Sequence, residues 1–262
     1  MKIYYLGTCS GTEPMADMHH TSYVIETNGS LYWFDAGENA AHRAYTSGMD
    51  ILATRAVFIS HSHVDHIGGL PNLLFCFGKM NSRFGRPLKN NNTLELYLPD
   101  REFSSAVKLL GLGKGALTSK INFVLNEHTV SDGVIYEDEN VKVSALHNLH
   151  LGDADELGWH SFSYLVEAEG KRIVCSGDVK NYSELDEFVL HGCDLLVAET
   201  GHHKVSDVLE YARANGIGAL RFTHHGREIL GDRAAAERRV RDFSFEHGVD
   251  AKICYDGMTE EF

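Results

Sequence analysis

The sequence predicts an α/β fold in which two β-sheets carry helices on their outer sides. Short runs of β-branched and aromatic residues alternate with helix-like stretches along the whole chain, which is typical of layered α/β folds. The chain opens with consecutive strands, changes to alternating strands and helices, and then repeats that order once. No linker interrupts the 262 residues, a length that suffices for one large domain. We therefore predict a single domain over residues 1–262.

The first half is predicted to begin with a hairpin meander. Asn28 and Gly29 join two strands, and this dipeptide favours the positive φ of a tight hairpin turn. Beyond Asp35, strands and helices alternate. The sequence predicts strands at residues 2–7, 21–27, 30–37, 55–60 and 94–99, helices at 37–48, 68–78 and 101–113, and a long polar loop at 80–93.

The second half is predicted to repeat this organisation. Three β-rich stretches come first, with a turn at Glu169-Gly170-Lys171, and helices and strands alternate after them. The predicted β-rich stretches are residues 121–128, 133–151 and 160–178, the helices are 183–192, 205–216 and 232–248, and the later strands are 194–200, 219–224 and 252–257.

The composition excludes several classes of partner and compartment. Lys and Arg number 24 against 37 Asp and Glu, a net charge of −13, which argues against a broad electrostatic grip on nucleic acid or an anionic membrane. The five cysteines are scattered and include no Cys-x-x-Cys pair, so we expect neither a disulfide framework nor a cysteine zinc site. No signal peptide or membrane span is expected. These features together predict a cytoplasmic protein without membrane partners.

The strongest chemical signal is the segment His61-Ser62-His63-Val64-Asp65-His66-Ile67-Gly68-Gly69, which lies between an apolar strand and an apolar helix. Two histidines separated by one residue in extended chain lie roughly 6–7 Å apart with side chains on one side, close enough to share a metal ion. Asp65 and His66 are then expected to face elsewhere, where they can serve a second ion. The motif predicts a pair of metal ions.

Three later strands each deliver a potential ligand at their end. These are His150, Asp178 and His224, which lie far apart in sequence and would be gathered by folding. His147 competes with His150 for the third ligand position, and His225 competes with His224 for the last. The residue that completes a strand most naturally points into the site, which favours His224 over His225, and the choice between His147 and His150 is left open at this point.

The order of these motifs, with FDAG before HSHVDHIGG and HL, SGD and THH after it, resembles the metallo-β-lactamase superfamily over nearly the whole chain. It is most similar to the ribonuclease Z and phosphodiesterase branch, because that branch has aspartate at the position of Asp178. The resemblance implies a four-layer αβ/βα sandwich with two facing sheets. It also implies His61, His63 and His150 on one ion, Asp65, His66 and His224 on the other, Asp178 as a bridge and Asp35 as a support.

Such a site predicts hydrolysis. Two divalent ions lower the pKa of a water held between them toward about 7, which supplies hydroxide at neutral pH. Zinc is the expected metal because histidine nitrogen and carboxylate suit it, while manganese and iron also fit an N/O site. Asp65 is the candidate to orient the attacking water. His202 is the candidate acid for the leaving oxygen, oriented by Glu199, a pair that the resemblance supports; His203 is its rival.

The sequence therefore predicts a dinuclear metal-dependent hydrolase, most simply a phosphodiesterase for a small phosphodiester, a cyclic nucleotide or a short oligonucleotide. Only 28 residues separate His150 from Asp178, which leaves no room for the RNA-gripping arm of ribonuclease Z, so folded transfer RNA is disfavoured. The alternatives are a lactone or thioester hydrolase of the same superfamily and a non-catalytic metal-binding module. Assembly into a homo-oligomer is left open.

Overall fold

The computed structural model describes residues 1–113 and 121–262. The chain forms two compact units: unit 1 consists of Met1–Gly7, Pro14–Val130 and Asp256–Phe262, and unit 2 of Thr8–Glu13 and Ser131–Tyr255. Each unit holds one mixed seven-stranded β-sheet together with helices. The predicted α/β class with two sheets is thereby confirmed, while the assignment of the whole chain to a single domain stays a prediction.

The sheet of unit 1 joins a hairpin meander to parallel strands. Its strands are β1 (Lys2–Gly7), β2 (Ser22–Thr27), β3 (Ser30–Phe34), β4 (Thr54–Phe58), β5 (Thr93–Leu98), β6 (Val124–Thr129) and β14 (Thr259–Glu261), in the order β14-β1-β2-β3-β4-β5-β6. β1 to β3 pair antiparallel and β3 to β6 pair in parallel. Asn28 and Gly29 have φ angles of 50° and 64°, so the predicted hairpin turn is confirmed.

The helices of unit 1 are α1 (Ala40–Thr46), α2 (Val64–Ile67), α3 (Leu70–Phe84) and α4 (Arg101–Leu112). α3 buries Leu70, Leu73, Leu74 and Phe77, a spacing that gives the helix one apolar face. The burial of each such side chain is worth about 1.5–3 kcal/mol.

The predicted end of α3 at Gly78 is wrong, since the helix continues to Phe84 and takes in part of the predicted loop at 80–93. Gly78 serves close packing instead of ending the helix. A Cβ there would lie 3.2 Å from Oδ1 of Asn122, whose Nδ2 donates to the Gly78 carbonyl. The helix ends before Gly85, which has a φ of 59°, the left-handed conformation that glycine adopts readily.

The sheet of unit 2 also mixes strand directions. Its strands are β7 (Gly133–Glu137), β8 (Val141–His147), β9 (Phe162–Ala168), β10 (Lys171–Cys175), β11 (Leu195–Glu199), β12 (Ala219–Thr223) and β13 (Asp250–Ile253), in the order β13-β12-β11-β10-β9-β8-β7. β7 to β10 pair antiparallel, and β10 to β13 pair in parallel. β8, β10, β11 and β12 therefore run in the same direction, and their carboxyl ends lie at one edge of the sheet.

The helices of unit 2 are α5 (Asp186–Val189), α6 (Val205–Ala214), α7 (Arg227–Gly231) and α8 (Arg233–His247). The single helix predicted at 183–192 is wrong: a 3₁₀ turn at Tyr182–Leu185 precedes the short α5. The strand predicted at 252–257 begins and ends earlier, at Asp250–Ile253. The predicted turn at Glu169 and Gly170 is confirmed, because both residues have positive φ.

None of the five cysteines, all of which lie in the described residues, forms a disulfide. Among residues 1–113 and 121–262, no helix has both the length and the apolar character that a membrane crossing requires.

Candidate metal centre

Unit 1 gathers three histidines and an aspartate just beyond β4. The strand ends at Phe58, and His61, His63, Asp65 and His66 follow it; we call these four residues the unit 1 cluster. His61, Asp65 and His66 are buried, whereas His63 is exposed. The ring centroid of His61 lies 4.6 Å from that of His63 and 4.0 Å from that of His66.

The expectation that Asp65 and His66 face away from His61 is wrong for His66. The ring of His66 lies closer to the His61 ring than the ring of His63 does. The cause is local: His63 is extended, with φ −65° and ψ 146°, and α2 begins directly after it. One helical turn then returns His66 toward the end of β4. Its Nε2 lies 3.6 Å from Oδ2 of Asp65, so imidazole and carboxylate adjoin within the cluster.

Asp35 fixes the orientation of the His66 ring. Its Oδ2 lies 2.7 Å from Nδ1 of His66, and its carboxylate also accepts hydrogen bonds from the backbone N–H and the hydroxyl of Ser60 at 2.7 and 2.9 Å. Asp35 is buried. A carboxylate on one ring nitrogen holds the proton there and directs the other nitrogen to a metal. This contact fits the supporting role that the resemblance implies for Asp35.

Unit 2 brings five polar side chains to the carboxyl edge of its sheet. His150 follows β8, Asp178 follows β10, Glu199 ends β11, His224 directly follows β12, and His202 lies in the loop before α6; we call these five residues the unit 2 cluster. Asp178, Glu199 and His224 are buried. These residues lie far apart in sequence, and they meet because the strands that precede them end at the same edge of the sheet.

Asp178 lies at the middle of the unit 2 cluster. Its Oδ2 lies 3.6 Å from Nε2 of His150 and 3.7 Å from Nδ1 of His202, and its Oδ1 lies 3.3 Å from Nδ1 of His224. Glu199 completes the group, with Oε2 at 3.1 Å from Nδ1 of His202 and 3.6 Å from Nδ1 of His224. Ligand atoms of Asp178, Glu199, His202 and His224 all lie within 4.8 Å of one another.

The backbone of His224 is held in an unusual conformation beside a glycine. Its φ is 46°, a left-handed value that costs a non-glycine residue free energy. A Cβ at Gly201 would lie 2.6 Å from Nδ1 of His224 and 3.3 Å from Oε2 of Glu199. Only glycine at this position lets the imidazole approach so closely.

The structure distinguishes each predicted histidine from its neighbour in sequence. His147 stays away from Asp178, with its Nδ1 2.6 Å from Oδ2 of Asp132, whereas His150 adjoins Asp178. His225 has its Nε2 2.9 Å from the carbonyl of Cys254, and complete burial lowers its pKa to about 3, which keeps the ring neutral in the interior.

His203 differs in the same way from His202. Its Nε2 lies 2.9 Å from the Val179 carbonyl and 3.5 Å from Oε1 of Glu199, while His202 has Nδ1 at the shorter distance of 3.1 Å from both oxygens of Glu199. Burial of Glu199 by itself raises the pKa of its carboxyl, but hydrogen bonds from His202 and His224 lower that pKa on balance. The hydrogen bond between His202 and Glu199 raises the pKa of His202, although burial of the ring acts in the opposite direction.

The donor atoms of both clusters fit a divalent metal. Imidazole nitrogen and carboxylate oxygen are the ligands that zinc takes in hydrolases, and manganese and iron accept the same set. The sequence assigned Glu199 and His202 to proton transfer alone, whereas they also belong to the ligand-like group around Asp178. It missed Glu184, whose Oε2 accepts from the backbone N–H groups of Leu149 and Lys180; such backbone contacts leave no signal in a sequence.

Curated relatives at low identity include ribonucleases Z. That of Shouchella clausii (strain KSM-K16) is 24% identical over 284 aligned residues, which cover 86% of this chain and 86% of the relative. That of Methanothermobacter thermautotrophicus is 26% identical with the same coverage. The match to ribonuclease Z of Prochlorococcus marinus (strain MIT 9303) is 29% identical and covers 65% of this chain but 50% of that relative.

Solved structures match over the whole chain. The metallo-β-lactamase fold protein YhfI from Bacillus subtilis aligns with a TM-score of 0.73 at 17% identity, covering 100% of this chain and 99% of that one. The short form of human tRNase Z aligns with a TM-score of 0.71 at 19% identity and the same coverage. The predicted metallo-β-lactamase fold is thereby confirmed.

One protein-family model also matches the chain. The family is described as the anti-Pycsar protein Apyc1, and the match extends over residues 1–228, which includes every residue of the unit 1 cluster and of the unit 2 cluster.

Proposed function

Because this chain belongs to the family of the anti-Pycsar protein Apyc1, we propose that it is a metal-dependent phosphodiesterase that hydrolyses cyclic nucleotides. The observation that carries the proposal is the convergence of His150, Asp178 and His224 at one sheet edge, with Glu199 and His202 beside them. The family suggests a cyclic nucleotide as the substrate. The metallo-β-lactamase fold and the ribonuclease Z relatives support a phosphodiester bond as the target.

We propose two metal ions for this chain, zinc by default, with manganese and iron as the other candidates. The proposed ligands are His61, His63 and His150 for one ion and Asp65, His66 and His224 for the other, with Asp178 shared. Two such ions, when bound, activate a water for attack and neutralise charge on the phosphoryl group. The donor sets of the two clusters and the His66–Asp35 hydrogen bond support this assignment.

The chain's own groups would then carry the protons. The His202 side chain is about half exposed, and its Nδ1 lies 3.1 Å from the carboxylate of Glu199. An imidazole in this position can donate a proton to the leaving oxygen, and its raised pKa favours the protonated form that an acid needs. Asp65 would orient the attacking water.

The charge of the chain supports a small substrate. A net charge of −13 repels long polyanions, whereas a single cyclic phosphodiester carries one negative charge that bound cations offset. Short oligonucleotides are the second substrate class. Folded transfer RNA is disfavoured because no arm separates His150 from Asp178.

The cytoplasmic location predicted from the sequence remains part of the proposal. It is supported by five cysteines that form no disulfides. Membrane partners are not proposed, and the question of a homo-oligomer stays open.

A substrate panel tests the proposed function. Metal-loaded protein is assayed with 3′,5′-cyclic nucleotides, short single-stranded oligonucleotides, precursor transfer RNA, lactones and thioesters. We expect the cyclic nucleotides to be turned over fastest, and we expect the Asp178→Asn variant to lose that turnover. Hydrolysis of carbon esters alone would favour the lactonase or thioesterase alternative, and metal binding without any turnover would favour the non-catalytic module.

A further inference from the structure

Two aromatic side chains stack at the sheet edge that carries the unit 2 cluster, without belonging to that cluster. The rings of His147 and Trp159 lie face to face, with centroids 3.8 Å apart and planes inclined by only 12°. His147 is the last residue of β8, and Trp159 comes shortly before β9. Both side chains are partly exposed, and neither the proposed ligand set nor the acid pair uses them.

The stacked pair is held in place from two sides. Asp132 accepts a hydrogen bond from the His147 backbone N–H at 2.7 Å through Oδ1, and its Oδ2 lies 2.6 Å from Nδ1 of the same residue. Asn148 and Ser161 close the root of the loop between β8 and β9, since the Asn148 N–H donates to the Ser161 carbonyl at 3.0 Å and the Ser161 hydroxyl donates back at 3.0 Å. The rings are therefore fixed before any ligand arrives.

The position of the pair on the sheet suits a nucleotide. β8 and β10 run in the same direction with β9 between them, so their carboxyl ends lie two strand spacings apart, about 10 Å. The stacked pair lies at the end of β8, and Asp178 follows the end of β10. His150, three residues after His147, reaches back to within 3.6 Å of Asp178. A molecule with an anionic end at Asp178 and a flat ring at its other end would span this edge.

We propose that the stacked rings of Trp159 and His147 form a platform on which the nucleobase of the substrate stacks while its phosphate is bound at the unit 2 cluster. The inference rests on the proposed function. It assigns recognition of the nucleobase, which a metal centre cannot recognise, to these two rings. Cations and imidazoles bind a phosphoryl group whatever is attached to it. Nucleobases stack on aromatic rings with little dependence on sequence, so the platform selects nucleotides from other phosphodiesters.

The test compares substrates that differ only in the base. Cyclic AMP, cyclic CMP and the base-free analogue 1-deoxyribofuranose 3′,5′-cyclic phosphate are assayed for kcat/KM. The wild type is expected to prefer the base-bearing compounds roughly 5- to 150-fold, the ratio that corresponds to about 1–3 kcal/mol of stacking. Trp159→Ala removes this preference by raising KM for the base-bearing compounds, and Trp159→Phe keeps most of it. Turnover of the base-free analogue stays the same in all three proteins.

A second variant and a matched control distinguish loss of the stacked pair from loss of folding. Asp132→Asn weakens the hold on the His147 ring at an exposed position and is expected to raise KM for the base-bearing compounds only. His160→Ala lies on the same loop, where His160 pairs with Asp155 at 3.0 Å, and is expected to leave the preference unchanged. Thermal melting confirms that each variant is folded.

Two results would overturn the inference while leaving the proposed function in place. One is a wild type that uses the base-free analogue as well as cyclic AMP, and the other is a Trp159→Ala protein that loses activity equally on all three compounds. A wild type that hydrolyses none of them refutes the proposed function, and the platform falls with it.

Discussion

When one ring nitrogen of a histidine is hydrogen-bonded, only the other nitrogen is available to a metal. In His66 the buried Asp35 occupies Nδ1, which leaves Nε2. The carboxylate of Asp35 lies 2.7 Å from Nδ1 of His66 and also binds Ser60 twice. Asp35 itself has a φ of 58°, a conformation that asparagine also tolerates.

Asp35→Asn is therefore expected to fold and to bind metal about 10- to 100-fold more weakly, the usual effect of losing a carboxylate behind a histidine ligand. Competition with a chromophoric chelator measures the affinity. An affinity equal to that of the wild type would show that Asp35 does not orient His66.

Gly201 leaves the space that the imidazole of His224 occupies. In Gly201→Ala the new methyl group would lie 2.6 Å from Nδ1 of His224, so the ring has to move and metal affinity is expected to fall. Gly231→Ala is the matched control, because no atom lies within 4 Å of a Cβ there. Calorimetric metal titration of both variants decides the matter; equal affinities would contradict the prediction.

His202 and its neighbour His203 are expected to differ in their effect on turnover. His202→Ala is expected to lower kcat for a cyclic nucleotide by about 10²- to 10⁴-fold, the range for loss of a positioned acid. His203→Ala should leave kcat near the wild-type value, since His203 faces the Val179 carbonyl. Steady-state kinetics on folded protein compares them, and a greater loss in His203→Ala would reverse the assignment.

At the scale of elements, the site depends on loops that one side chain ties together. Glu184, in the 3₁₀ turn Tyr182–Leu185, accepts hydrogen bonds from the backbone N–H groups of Leu149 at 3.1 Å and Lys180 at 3.3 Å. Leu149 adjoins His150, and Lys180 follows Asp178 by two residues. One carboxylate thus holds two loops that carry proposed ligands.

Glu184→Ala is expected to weaken metal binding and to lower kcat/KM together, because both loops gain freedom. The neighbouring exposed Glu187→Ala serves as the control and should change neither quantity. Metal affinity and kinetics are measured on the same preparations. A Glu184→Ala protein with normal affinity would show that the ligand loops are held by other contacts.

The elements also show what a sequence can predict here. Runs of apolar residues ending in histidine or aspartate placed the site residues at strand ends, and Asn28-Gly29 specified its hairpin turn. The strand end already favoured His224 over His225, whereas the left-handed backbone of His224 is not visible in any periodicity of the sequence. The end of α3 was misjudged because a glycine that permits close packing looks the same in sequence as a glycine that ends a helix.

At the scale of the whole molecule, each unit contributes one mixed seven-stranded sheet and one cluster of histidine and carboxylate. The residues proposed as ligands are His61, His63, Asp65, His66, His150, Asp178 and His224. Local spacing and strand ends pointed to these residues, and the resemblance to a known family supplied their assignment to two ions, which stays a prediction. The contacts of Asp35 and Glu184, which hold the proposed ligands or their loops, arise only from folding.

Elemental analysis of metal-replete, gel-filtered protein measures whether this chain holds the two proposed divalent ions. We expect two ions per chain, removal of both by chelator with complete loss of cyclic nucleotide turnover, and recovery of turnover when metal is restored. A chain that keeps one ion or none when fully active would contradict the account.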